Sequence, residues 1–230
     1  MWWSGMICAW CILTGLWIGG CATDPAPIVI YEGRQESVWL HFDPKAGAGH
    51  SHPVSITSEQ MAAVLKGVRV KSRDVIGGFE LLSDKDSAPA FSSREILALA
   101  PYLSQAFKKA SPKDIATFYL TTQDTGHGSL VTSGGLFVRN GHLYLILANV
   151  RTSPSSIQYE NTYELDSKDQ PLLPIARFKF SVGFIPNEAR MPSGKARDSD
   201  GYPDYLDDSK LVVIDLARLF SGTDASITPK

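Results

Sequence analysis

LFVRNGHLYLIL, residues 136–147, is the stretch from which the fold is read. Two apolar runs flank Asn140-Gly141, and Asn-Gly supplies the two positive-φ positions of a type I′ turn, the tightest link between antiparallel strands. Upstream, residues 115–122 form a β-branched and aromatic run that reads as a third strand beside this hairpin. Three neighbouring antiparallel strands need something to bury their apolar face, and helices are the economical cover. The expectation is an α+β fold, mainly antiparallel sheet with two or three helices packed on one face.

Working outward, residues 28–31 and 37–42 flank the turn-like Glu32-Gly33-Arg34 and read as a first hairpin. Thr57-Ser-Glu-Gln60 is a capping box opening a helix to about residue 65, with Met61, Val64 and Leu65 at helical spacing. Gly67 ends it, and residues 68–72 alternate as a strand. A second box, Ser92-Ser-Arg-Glu95, opens the longest helix, to about residue 109. Its apolar stripe is Ile96, Leu97, Leu99, Leu103 and Phe107. Pro101 lacks a backbone donor and is expected to kink or split it. Further strands are read at 159–165, 176–183 and 211–216.

The 230 residues carry 22 Lys+Arg and 24 Asp+Glu, a net charge of −2, which gives no electrostatic case for nucleic acid. All these charges lie beyond residue 20. The first twenty-one residues, MWWSGMICAWCILTGLWIGGC, hold none. An apolar run over 6–18 is followed by small residues, as in a secretory signal, although no Lys or Arg precedes it. Ile18-Gly19-Gly20-Cys21 resembles the lipobox of bacterial lipoproteins. That resemblance implies a signal peptide over 1–20, acylation of Cys21, and a short linker to residue 27. It further implies a membrane-anchored protein of the cell envelope, with Ala22 after the Cys favouring the outer membrane over the outer leaflet of the cytoplasmic membrane. The competing reading is an uncleaved spanning helix, since about 20 apolar residues cross a bilayer. Four glycines and the abrupt switch to Ala22-Thr23-Asp24 speak for the lipoprotein. Of the three cysteines, Cys8 and Cys11 fall within the signal, so the globular domain over 28–220 stands without disulfides. Residues 221–230 read as a polar tail.

Two stretches carry possible metal chemistry. Asp198-Ser-Asp-Gly-Tyr-Pro-Asp-Tyr-Leu-Asp-Asp208 resembles the calcium loops of thrombospondin type 3 repeats. The resemblance implies Ca²⁺ held by Asp198, Asp200, Asp204 and Asp207 with the Tyr202 carbonyl, Gly201 making the turn; Ala196 stands where the first carboxylate belongs. Oxygen-rich loops of this kind suit hard cations. A solvated acidic turn accounts for the same residues. His41, His50 and His52 form the second group. His-x-His suits zinc or copper, but this pair lies in a Gly-rich loop without Cys or Glu nearby, and loop histidines without metal are the preferred reading.

The sequence contains no GxSxG elbow and no HExxH. Ser193-Gly194-Lys195 mimics the end of a P-loop, but Ala189 replaces its leading glycine. Gly126-His127-Gly128-Ser129 reads as a hairpin loop. The functional expectation is a non-catalytic envelope lipoprotein that binds or scaffolds, tethered to the membrane through Cys21, with another envelope protein as a candidate partner. An envelope hydrolase using His50, His52, His127 and the acidic loop is the alternative, and a calcium-stabilised binding surface is the third.

Overall fold

The computed structural model describes residues 24–47, 49–72, 87–124, 128–153, 168–175, 180–192 and 208–221. The signal segment, Cys21, the acidic loop from 198 to 207, His127, residues 193–195 and the strand read at 159–165 lie outside them.

A seven-stranded antiparallel sheet dominates, in the order β1-β2-β5-β6-β7-β10-β9. Its first hairpin is β1 (Ile28–Glu32) and β2 (Glu36–Phe42); the centre is β5 (Asp114–Asp124), β6 (Gly128–Arg139) and β7 (His142–Thr152). Arg139 pairs with His142 across a two-residue turn in which Asn140 has φ 50° and Gly141 φ 79°, the positive-φ pair read from the sequence. Strands β10 (Leu211–Asp215) and β9 (Arg190–Met191) complete the far edge. A smaller sheet joins β4 (Ala88–Pro89), β3 (Val68–Ser72) and β8 (Phe180–Phe184).

Both helices begin at the expected capping boxes. Thr57 Oγ1 accepts from the Gln60 N–H while Gln60 Oε1 accepts from Thr57 N–H, opening α1 (Ser58–Gly67). Ser92 and Glu95 exchange the same pair of bonds at the start of α2 (Ser93–Lys109). A third helix, α3 (Leu216–Phe220), follows β10 directly. Pro101 does not split α2. The acceptor it deprives of a bond, one turn earlier, is the carbonyl of Leu97, and Leu97 is 75 % exposed, so water can satisfy it. Leu97 therefore leaves the apolar stripe, while Leu99, Leu103 and Phe107 are buried as expected.

The main core lies between the large sheet and a layer made of helices plus the small sheet. Val38, Leu40, Phe118, Leu136, Leu145 and Val212 point from the sheet toward Met61, Leu65, Leu103, Phe107, Val182 and Phe184. The opposite face of the same sheet is equally apolar. Ile115, Phe137, Tyr144, Ile146, Leu211 and Val213 form a second cluster there, and Trp39, Tyr119 and Val131 a third. Among the described residues no helix packs on this face, and it carries the cleft described next.

Candidate functional site: a cleft on the helix-free face

Register places the cleft's floor. His41 of β2 lies opposite Ile115 of β5, and Phe137 of β6 opposite Tyr144 of β7, so these side chains share one face. Thr117, Gly135 and Ile146 form the next row. Residues 168–175 cross above it. Asn149, 2 % exposed, fastens that segment: its amide Nδ2 donates to the Leu173 carbonyl (2.9 Å) and to Ser133 Oγ (2.8 Å), and its Oδ1 accepts from Ile175 N–H (2.7 Å). The Lys168 ammonium reaches Glu32 and lies 5.8 Å from the Trp39 ring centre. Two glycines permit this arrangement. A Cβ on Gly135 would sit 3.0 Å from both Leu172 Cδ2 and Ile115 Cδ1, and one on Gly134 would sit 2.1 Å from the Ile146 carbonyl oxygen.

Between floor and cover is a cleft of about 420 Å³. Phe42, Pro44, Ile115, Phe137, Ile146, Pro171, Leu172 and Leu173 make its wall predominantly apolar, and His41, Asp43, Lys45, Thr117, Asp169 and Gln170 supply the polar groups. A chamber of this size and lining, with a few convergent polar atoms, is typical of small-molecule sites.

His41 sits on the strand, not in the loop with the other histidines. Its Nδ1 lies 2.8 Å from Thr117 Oγ1, its Nε2 is shielded from water, and the Asp169 backbone of the cover segment approaches the ring. Burial lowers its pKa, with Asp169 opposing. The ring is thus mainly neutral near pH 7.

His50 and His52 are buried rather than solvated, at 5 % and 6 % exposure. Loop residues 43–53 wrap under the sheet end, where Ser51 N–H donates to the Val138 carbonyl and His50 N–H to that of Pro112. His50 Nε2 lies 3.1 Å from Asp43 Oδ2, and its ring packs against Phe137 at 4.2 Å between centres. Phe137 in turn stacks on Tyr144 at 4.8 Å. His52 packs on Phe107, and its Nε2 accepts a long bond of 3.4 Å from Val138 N–H. Burial pushes the His52 pKa down to about 4, with His50 adding to the effect and Asp114 opposing it.

The two rings are 6.0 Å apart, yet among the described residues no group of three His, Cys, Asp or Glu side chains converges as metal ligands would. The pair works structurally: it fills the sheet end and braces Asp43 at the cleft rim. The calcium residues Asp198, Asp200, Tyr202, Asp204 and Asp207 and the lipidation residue Cys21 fall outside the described segments. Among the described residues that the sequence offers as site candidates, His41 alone lines the cleft. Phe137 and Thr117 are legible in the sequence only as strand residues, and the 169–173 cover carries no signal of its own. The available signal was the run Leu143-Tyr144-Leu145-Ile146-Leu147, apolar on both faces, which requires a cover on each. No family model matches the chain, and no curated protein or solved structure matches it either.

Proposed function

We propose that the protein is a non-catalytic, lipid-anchored cell-envelope protein whose domain binds a small, mainly apolar molecule in the cleft of the large sheet. The observation carrying this reading is the cleft itself: a mainly apolar chamber with a few polar groups, among them His41, Thr117 and Gln170, at its wall. Such a site recognises an aliphatic or aromatic body by burial and orients it through a single polar end. The envelope location rests on the lipobox-like Ile18-Gly19-Gly20-Cys21. Acylation there holds the domain at a membrane surface, where apolar molecules concentrate.

The test is an organic extract of the protein purified from its own cells, analysed by mass spectrometry. One apolar compound should be recovered in near-stoichiometric amount from the native protein and be missing from Leu172→Arg. Equal recovery from both, or none from either, contradicts the reading.

A further inference from the structure

A second cavity, of about 480 Å³, lies on the outward side of the small sheet, where β8 leads into β9. Strand β3 turns Val68 and Val70 toward the main core, so Arg69 and Lys71 point the other way. Gly183 and Ser181 stand opposite them on β8, leaving low ground beside both cations. Arg190 closes the far wall. Three cations thus line the cavity against one carboxylate, Glu188, with Ser87, Ser181 and Asn187 as neutral donors.

None of the three cations forms an ion pair with a described carboxylate. Arg69 is anchored by Nη2 donating to the Ser87 carbonyl (3.0 Å), while its Nε is shielded from water and meets no acceptor. Fixed beside Lys71 and Arg190, with Glu188 the one carboxylate lining the cavity, the half-buried guanidinium contributes to a net positive charge there. An anion in the cavity offsets it. Donors arriving from β3, from β8 and from the β9 edge surround a tetrahedral oxyanion better than a planar carboxylate.

We propose that this cavity is a binding site for a phosphate-bearing small molecule or headgroup, separate from the apolar cleft. Arg69 and Arg190 grip the phosphate oxygens, and Lys71 adds charge.

The test measures how fast an amine-reactive reagent modifies Lys71, with exposed Lys66 as internal reference, in the purified full-length chain. One arm adds glycerol 3-phosphate; the other adds phosphatidylglycerol vesicles, with phosphatidylcholine vesicles as blank. The site predicts at least about fivefold protection of Lys71 with Lys66 unchanged. Protection by the soluble phosphate identifies a free ligand, and protection by the anionic vesicles alone identifies a lipid headgroup. Arg190→Gln, a change at an exposed position, should shift the protection midpoint at least about tenfold, the loss of one charge-assisted contact. Lys71 and Lys66 reacting alike in both arms, or protection indifferent to Arg190→Gln, overturns the proposal.

Discussion

His52 shows how a single residue's surroundings set a measurable property. Its folded pKa of about 4 lies below the ordinary 6.5, so the unfolded chain binds a proton that the native protein refuses between those values. Stability is therefore full above about pH 6.5, falls as pH drops through that window, and levels off below about 4. The shift corresponds to roughly 3 kcal/mol. Urea melts from pH 7 to pH 4 should show this loss, and His52→Gln should flatten the slope. An equally steep slope in the variant would refute the assignment. Gly134 makes a second prediction at this scale. Alanine there brings a Cβ to 2.1 Å from the backbone oxygen of Ile146, where no side chain can yield. Gly134→Ala should destabilise the fold by at least about 3 kcal/mol in the same urea melts. Neither effect was legible in the sequence. His50-Ser-His52 reads as part of a Gly-rich loop until the fold tucks it beneath Phe137 and Phe107, and nothing local to Gly134 shows that the Ile146 carbonyl of β7 lies against it.

At the scale of elements the sequence was much more informative, because helix starts and tight turns are local events. Thr57…Gln60, Ser92…Glu95 and Asn140-Gly141 each announce their geometry within four residues, and each is present. Ser92→Ala should cost about 1 kcal/mol in thermal or urea unfolding by leaving the Glu95 N–H uncapped. Pro101 leaves α2 continuous because the consequence of a missing donor depends on whether the orphaned carbonyl faces water, and that is decided by tertiary packing. The cover over 168–175 has no local signature at all. It is held by one buried side chain, Asn149, which bonds both Leu173 and Ile175. Asn149→Ala strands those two backbone groups and should cost about 1–3 kcal/mol. Hydrogen exchange should show faster exchange at Ile175 N–H, with the β5–β7 hairpins unchanged.

For the whole molecule, two layers were foreseeable and the third surface was not. Alternation tells which residues oppose one another, but a strand apolar on both sides, such as 143–147, does not say which side holds the helices. The cleft draws on residues 41–45, 115, 117, 137, 146 and 169–173, so it exists only once the sheet is assembled. The proposed anchor is a separate matter and rests on Cys21 alone. Metabolic labelling with an alkyne-bearing palmitate should mark the native protein and leave Cys21→Ala unmarked. The central claim, that the helix-free face holds a small apolar ligand, is tested most directly by titrating the purified full-length chain with dansylundecanoic acid and following fluorescence. Saturable enhancement should appear in the native protein and weaken at least about tenfold in Leu172→Arg, which drives a charge into the apolar wall. Enhancement of the same midpoint in both proteins, or none in the native one, would contradict it.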